Sequence, residues 1–404
     1  MADREELRQR IIDAIEQNRE KIIEVAETIR QNPELGYQEF MASQLLATNI
    51  REQGYEVEKP AGNLETAFRA SMHGRADGPI VAVLAEYDAL GGIGHGCGHN
   101  LIGASGLAAA IGMKAVMPEI NGIFEVIGTP AEEGGGGKIK LEQAGVFDDV
   151  DAALMIHHAG DSTGAATQWP DGTCLAVSHF DLEYFGKPAH SGGDPYNGIN
   201  ALNAMIKFFT GVDALRQHVH METRLHGIIT NGGEQPNVVP KYTKARFYVR
   251  CDSIEYLNEV MEKVRNVAEG AALMTGCTVK ITKDNVCYDM RPNYTAGARY
   301  TENMKEVGME LKPRHGRGMH STDFGNISYK IPSITGSFAI SHVPIPGHSQ
   351  EVVDASGSEF GYDQLIKVSK AMALTAFDLM TDPDLMANAK HEHANWDAHV
   401  EAAG

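Results

Sequence analysis

The run PIVAVLA at residues 79–85 is continuously apolar and leads directly into Glu86, Tyr87 and Asp88. An unbroken apolar run of this length is typical of a strand that is buried on both faces of a parallel sheet. Parallel sheets of this kind are covered by helices, so the run predicts an α/β fold with polar residues delivered at the end of a central strand.

Two further apolar runs follow the same rule. Residues 122–127 precede the pair Glu132 and Glu133, and residues 152–156 precede the pair His157 and His158. In open α/β sheets, ligands bind outside the carboxyl ends of the strands. The three polar groups are therefore expected to converge, although they are far apart in the sequence.

The segment 95–100 supplies the softer candidate ligands, Cys97 and His99, which are separated and flanked by glycines. A thiolate, an imidazole and a carboxylate together suit zinc or a similar divalent ion. With one residue of the Glu pair, His157 and a later histidine, the count fits two ions that share a ligand. The other glutamate would remain as a general base.

Other readings of these residues are weaker. Cys97 and His99 could be a buried thiol beside a turn histidine, but an adjacent pair of carboxylates after a strand is an odd choice for a plain loop. A nucleophilic Cys97–His99 pair is disfavoured, because residues two apart on a glycine-flanked loop do not readily form a nucleophile–base hydrogen bond. Residues 134–137 are glycines followed by Lys138, but they lack the spacing of a phosphate-binding loop.

Composition limits the partners and the compartment. The 404 residues carry a net charge of −19, which argues against nucleic acid or an anionic membrane and favours a small-molecule substrate. The cysteines are odd in number and scattered, which favours a reducing cytoplasm over a disulfide framework. They are Cys97, Cys174, Cys251, Cys277 and Cys287. The charged start of the chain does not resemble a signal peptide.

The chain pattern predicts two domains. Residues 175–288 follow the order β-α-β-β-α-β, which is the split βαβ, ferredoxin-like arrangement of a small α+β domain. This domain would interrupt a larger α/β domain formed by residues 1–174 and 289–404, with a mixed, mostly parallel sheet flanked by helices. A single amphipathic helix is predicted over residues 7–29, and a frayed helix after Leu385.

Seven sequence motifs resemble peptidase family M20, the aminoacylase and carboxypeptidase family of dinuclear metallopeptidases, and within it the amidohydrolase branch. That branch includes aminobenzoyl-glutamate hydrolases, N-acyl amino acid hydrolases and a β-alanyl dipeptidase-like group. The matches extend over nearly the whole chain. They are AEYDAL at 85–90, GCGHN at 96–100, TPAEEG at 129–134, PAH at 188–190, NGINAL at 197–202, PNVVP at 236–240 and STDFGN at 321–326.

The resemblance implies a catalytic domain with an inserted lid that also forms a homodimer, and two divalent metal ions per subunit. Zinc is the favoured ion, with manganese and cobalt as alternatives. By similarity Cys97 bridges the ions, Glu133 and His348 complete one, and His99 and His157 complete the other. The implied metal ligands are thus Cys97, His99, Glu133, His157 and His348.

The resemblance also assigns roles outside the ligand set. Glu132 would be the general base, and His190 and Asn237 would stabilise the oxyanion and hold the substrate, in the partner's active site. Without the resemblance, both would be ordinary loop residues. Arg250 is a candidate for binding a substrate carboxylate, or pairs with an acidic surface residue. Asp88 joins Glu132 and His190 as a candidate catalytic residue.

The chain departs from the family pattern at two places. Glu86-Tyr87-Asp88 stands where the peptidase members have His-x-Asp, and His158 stands where relatives often have proline, so either His157 or His158 is the ligand. The resemblance implies hydrolysis of the amide bond of a small N-acyl amino acid, a dipeptide or an aminobenzoyl-glutamate-like substrate. A hydrolytic deaminase that releases ammonia and a non-catalytic binder are the alternatives.

Overall fold

The computed structural model describes residues 3–403, which divide into two compact units. The larger unit contains the chain up to Thr173, Met290–Gly318 and the chain from Asn326 onwards. The smaller unit contains Cys174–Asp289 and Met319–Gly325. None of the helices among the described residues is both long enough and apolar enough to span a bilayer.

The chain begins with three helices and continues with alternating strands and helices that belong to the larger unit. These elements are α1 (Arg4–Gln17), α2 (Arg19–Gln31), α3 (Phe40–Glu52), β1 (Glu56–Glu58), β2 (Phe68–His73), β3 (Ile80–Ala85), α4 (His99–Lys114), β4 (Ile123–Gly128), α5 (Gly137–Gln143), β5 (Ala152–His158) and β6 (Gly164–Ala165).

The smaller unit and the return of the chain follow. The elements are β7 (Ala176–Phe185), α6 (Ala201–Leu215), β8 (Arg224–Asn231), β9 (Tyr242–Cys251), α7 (Ile254–Thr275), β10 (Thr278–Cys287), α8 (Tyr294–Glu306), α9 (Phe324–Ser328), β11 (Ser333–Phe338), α10 (Gln350–Ala355), α11 (Glu359–Thr381), α12 (Pro383–Ala394) and α13 (Trp396–Ala403).

The larger unit is built on a seven-stranded sheet with the order β1-β2-β4-β3-β5-β11-β6. The four central strands β4, β3, β5 and β11 are parallel, while β1, β2 and β6 pair antiparallel at the two sides. This confirms the predicted mixed, mostly parallel sheet with flanking helices. Because the four central strands are parallel, their carboxyl ends lie at one edge of the sheet, which we call the carboxyl edge.

Helix α4 explains how the central strands are buried. Every residue of the helix except Lys114 is buried. It packs between the sheet and the helices α1, α2 and α11. Its alanines and glycines allow this close approach, and its first residue, His99, lies at the carboxyl edge.

The smaller unit is a four-stranded antiparallel sheet with the order β10-β7-β9-β8, covered by α6 and α7. Along the chain the elements follow the predicted order β-α-β-β-α-β. Its core contains the aromatic side chains Phe180, Phe208 and Phe247. Strand β8 forms one edge of the sheet.

Two sequence predictions about terminal helices were wrong. The expected single helix over residues 7–29 is divided into α1 and α2 at Asn18, whose side-chain amide donates to the carbonyl of Ala14 over 2.8 Å. The tail is not a frayed helix but the helices α12 and α13. Their packing was missed because Trp396, only 8% exposed, is buried by stacking on Tyr294, which lies far away in the sequence.

Candidate metal centre

Two groups of potential metal ligands meet at the carboxyl edge, and Cys97 belongs to both. The donor atoms of Cys97, His99 and His157, which we call the inner triad, lie within 4.8 Å of one another. The donor atoms of Cys97, Glu133 and His348, the outer triad, lie within the same limit. The five side chains that the sequence nominated are therefore brought together around one sulfur atom.

The distances within the triads suit shared ions. Cys97 Sγ lies 3.5 Å from His157 Nε2, and Glu133 Oε1 lies 3.6 Å from His348 Nε2. Two ligands of one tetrahedral zinc ion are separated by about 3.3–3.6 Å, given bond lengths of about 2.0–2.3 Å. The mixed sulfur, nitrogen and oxygen donors therefore fit divalent ions in geometry as well as in chemistry.

Hydrogen bonds on the far side of each imidazole orient the inner triad. His99 Nδ1 lies 3.0 Å from both the carbonyl oxygen and Oδ1 of Asp88, and His157 Nδ1 donates to the carbonyl of His158 over 2.8 Å. These contacts leave Nε2 of each ring for a metal, as in metal sites whose outer partners fix the tautomer. His99 Nε2 is buried and has no hydrogen-bond partner among the described residues.

The electrostatics of the inner triad favour a bound cation. Burial raises the pKa of the Cys97 thiol to about 12. Burial alone would lower the pKa of His99, but the negative charges of the Asp88 and Glu86 carboxylates outweigh it and raise that pKa well above its ordinary value. The two groups therefore hold protons at neutral pH, and a divalent cation that binds here displaces them.

Gly98 permits the turn that separates Cys97 from His99. Its φ of 67° lies in the left-handed region. A Cβ at this position would also lie 2.9 Å from Cδ2 of His158. Glycine is therefore the residue that satisfies both the backbone and the space, and His158 is packed behind the turn. Among the described residues, His158 belongs to no group of metal-ligand candidates.

The loop after β4 carries Glu132 and Glu133 and is held from below by two buried carboxylates. Ala131, with an unusual φ of 58°, donates its amide to Glu39 Oε1 over 2.8 Å. Glu133 donates its amide to Asp88 Oδ2 over 2.9 Å. A residue other than glycine in the left-handed region is strained, and such residues cluster at functional sites. His348 shares this feature, with a φ of 53°.

Asp88, nominated as a catalytic residue, lies beneath the ligands and is only 1% exposed. Its Oδ1 contacts His99 and its Oδ2 accepts from the Glu133 amide, so one carboxylate supports a ligand of each triad. The carboxylate of Glu132 lies within 4.8 Å of the donor atoms of His99 and Glu133. It belongs to neither triad.

Sequence reasoning missed a buried ion pair between Glu86 and Lys138. Both side chains are fully buried, with Lys138 Nζ 2.6 Å from Glu86 Oε1, and Glu86 Oε2 lies 3.4 Å from His99 Nε2. The sequence pattern alone presents Lys138 only as the end of a poor phosphate loop. The available signal was Glu86 itself, a charged residue directly after the central strand, which needs a partner when it is buried.

His190 and Asn237 are the predicted site residues that lie next to each other on the smaller unit. His190 Nδ1 accepts hydrogen bonds from the amides of Gly192 and Gly193 over 3.1 and 3.0 Å, so in the neutral ring the proton is on Nε2. The amide of Ser191 donates to the carbonyl of Asn237 over 3.0 Å, which places the two predicted residues side by side on the surface.

Arg250 also lies on the smaller unit. Its Nη1 donates to Ser321 Oγ over 2.7 Å. Its guanidinium is therefore bound to a hydroxyl group here, and no ion pair of Arg250 with a carboxylate occurs within the described part of the chain.

The chain is similar in sequence to known peptidases and hydrolases. Residues 177–274 match the model of a family described as a peptidase dimerisation domain. The chain is 36% identical to an Xaa-Arg dipeptidase of Mus musculus, over 97% of this chain and 93% of that protein. It is 30% identical to one of the subunits of the p-aminobenzoyl-glutamate hydrolase of Escherichia coli, over 95% of this chain and 94% of that protein.

A solved structure shares the fold. It is the crystal structure of a dinuclear metal binding peptidase from family M20 of Bacillus subtilis, which superposes with a TM-score of 0.65 over 87% of this chain and 98% of that chain. The sequence identity is 22%, so this likeness concerns the fold alone.

Proposed function

The chain belongs to peptidase family M20 and is a hydrolase of amide bonds, and we propose that it acts through two divalent metal ions held by the inner and outer triads. The observation that carries this proposal is the membership of Cys97 in both triads. A thiolate in this position would be a ligand of both ions. His157, rather than His158, is then the histidine ligand at the end of β5.

The protein residues around the triads divide the work of amide hydrolysis. When bound, two divalent ions polarise the scissile carbonyl and lower the pKa of the attacking water. Glu132 takes the proton of that water and passes it to the leaving amine, a task that requires a carboxylate close to the ligands but outside the ligand set. Asp88 positions His99 and Glu133, and Lys138 compensates the charge of Glu86.

His190 and Asn237 complete the substrate contacts in the active site of the partner subunit. With its Nδ1 occupied by the amides of Gly192 and Gly193, His190 presents Nε2–H as the donor that stabilises the developing oxyanion. Asn237 holds the substrate, and Arg250 is the candidate for a substrate carboxylate.

The donor set favours zinc, because zinc accepts sulfur, nitrogen and oxygen ligands together. Manganese and cobalt are the ions to compare with it. The cysteines are odd in number, scattered and free of disulfides, and on that ground we propose that the protein lies in the reducing cytoplasm.

The protein is proposed to be a homodimer through the smaller unit. Residues 177–274 match the dimerisation-domain model, and β8 is an edge strand within this range. Ile228 and Ile229 on this strand are 64% and 43% exposed. An edge strand with exposed apolar side chains is a surface on which another chain can pair. Light scattering is expected to give twice the mass of the chain.

The substrate is proposed to be a small N-acyl amino acid or dipeptide. The names of the two curated relatives point to leaving residues of opposite charge, arginine in one and glutamate in the other. The test is a panel of arginine dipeptides, p-aminobenzoyl-glutamate and N-acetyl amino acids, offered to protein reconstituted with zinc, manganese or cobalt. Release of the free amino acid is expected, and a fully metallated protein that cleaves none of these amides would contradict the proposal.

A further inference from the structure

A groove on the smaller unit lies next to the two residues proposed to contact the substrate. Its cavity volume is about 320 Å³, the size of a small-molecule pocket. Ser191, which follows His190, lines one side, and Pro236 and Val238, which flank Asn237, line another. The groove therefore adjoins the backbone beside both residues, although their own side chains do not line it.

The charge in the groove is negative. Glu234 is the single charged residue among those that line it, and its side chain is exposed. No ion pair of Glu234 with a basic side chain occurs among the described residues. Leu202, Val238 and Pro240 add an apolar surface, on which the aliphatic stem of a long side chain can pack while its charged end stays at the rim.

The backbone amides at the amino end of α6, beside the groove, are already bound. The amides of Leu202 and Asn203 donate to Asn200 Oδ1 over 2.9 and 3.2 Å. The amide of Ala201 donates to the carbonyl of Pro240 over 2.9 Å. The amino end of α6, which would otherwise attract an anion, therefore has its first donors occupied.

Two amides on the loops of the groove are also bound. The amide of Gly233 donates to Asn231 Oδ1 over 3.0 Å, and that of Val238 donates to the carbonyl of Gln235 over 3.2 Å. A carboxylate side chain would meet the repelling charge of Glu234, whereas a guanidinium or ammonium group would find a carboxylate.

We propose that this groove binds the side chain of the substrate's leaving residue and selects a cationic one, such as arginine or lysine, through Glu234. The inference rests on the proposed amide hydrolysis and on the roles of His190 and Asn237. It narrows the substrate class to dipeptides and acyl amino acids with a basic residue on the amine side of the scissile bond.

The test compares substrates that differ in charge alone. Dipeptides with the same first residue and a second residue of arginine, citrulline or glutamate are offered to the metal-loaded, full-length protein. Citrulline has nearly the shape of arginine but is neutral. We expect kcat/KM to favour arginine over citrulline by about tenfold, the effect of one hydrogen bond between charged groups at an exposed site.

Two variants locate the selectivity. Glu234→Gln is expected to remove the preference for arginine, so that the ratio of kcat/KM for the arginine and citrulline peptides falls to about one. Glu222→Gln is the matched control, because Glu222 is also an exposed carboxylate but lies beyond the other end of β8, a strand about 26 Å long. Glu222→Gln is expected to retain the preference.

The outcomes separate this inference from the proposed function. A parent protein that cleaves the three dipeptides without regard to charge, or prefers glutamate, would overturn the inference and leave amide hydrolysis standing. An unchanged arginine-to-citrulline ratio in Glu234→Gln would overturn it too. A metal-loaded parent that cleaves no dipeptide and no acyl amino acid would overturn the proposed function, and the inference with it.

Discussion

The inner and outer triads share the sulfur of Cys97 but are supported in different ways. In the inner triad, His99 is fully buried and both histidines have a hydrogen bond on the ring nitrogen that faces away from the ligand cluster. In the outer triad, the side chain of His348 is 58% exposed, and its ring contact is with Glu133, the other ligand. The inner triad is held by hydrogen bonds within the fold, and the outer triad is open to solvent.

This difference predicts a division between the two ions. A ligand set that is already oriented loses little conformational entropy on binding, so the inner triad is expected to bind its ion more tightly. The outer triad is expected to exchange its ion first in the presence of a chelator. Its exposure also suits the half that meets the substrate.

The largest expected effect separates chemistry from metal binding. Glu132→Gln removes the proposed proton acceptor and should lower kcat by about 10²–10⁴-fold while both ions remain bound. The neighbouring variant Glu133→Gln should instead weaken the outer ion. Metal analysis beside steady-state kinetics distinguishes the two. A Glu132→Gln variant that keeps its metal and the parent rate would refute the assigned role.

The second effect concerns Asp88, the carboxylate that supports one ligand of each triad. Asp88→Asn replaces one of the two carboxylate oxygens by an amino group, so the Asp88 contacts to His99 and to the Glu133 amide cannot both persist. Loss of an outer-sphere partner typically lowers metal affinity by about 10–100-fold. Chelator competition should therefore show weaker binding at the inner triad and a smaller difference between the two ions.

Glu125→Gln is the control for Asp88→Asn, because Glu125 is also a buried, ion-paired carboxylate of the larger unit but contacts Arg69 instead of a ligand. Its metal affinities should match those of the parent. Equal chelator curves for Asp88→Asn and the parent would mean that the inner triad does not depend on this support.

The third effect concerns stability instead of metal binding and is a change in its pH dependence at Glu39, beneath the Glu132 loop. Burial raises the pKa of this carboxyl from 4.5 to about 7. Between these values the folded chain keeps a proton that the unfolded chain releases, so the parent loses stability as pH rises from 4.5 to 7. The loss is about 3 kcal/mol, and it persists above pH 7.

Glu39→Gln removes this titration but retains an oxygen that can accept from the Ala131 amide. Its free energy of unfolding, measured by urea denaturation of the metal-free chain from pH 5 to pH 8, should fall less with rising pH than that of the parent. If the free energies of unfolding of the two proteins changed in parallel with pH, burial of the Glu39 carboxyl would not lower stability as proposed.

Much of the fold, and the convergence of polar residues at the carboxyl edge, could be predicted because the strand pattern is local. Apolar runs at residues 79–85, 122–127 and 152–156 specify buried strands, and the parallel arrangement of strands brings the residues after them to one edge. The antiparallel strands β1 and β2 were missed, since residues 68–73 mix apolar and polar side chains without a clear alternation.

The support beneath the ligands could not be predicted, because it depends on tertiary packing. Which side of the sheet α5 covers decides that Lys138 meets Glu86, and no spacing in the sequence encodes that contact. Likewise the two contacts of Asp88 arise from α4 and the Glu132 loop, which are brought together only by the folded sheet.

The central claim is that Cys97 is shared by two ions, and metal analysis of the parent and of Cys97→Ala tests it most directly. The parent, reconstituted with zinc and freed of excess metal, should contain about two equivalents per chain. Cys97→Ala should lose affinity for both ions in chelator competition, because the sulfur belongs to both triads. A parent that binds no metal, or a Cys97→Ala variant that retains both ions with unchanged affinity, would contradict the account.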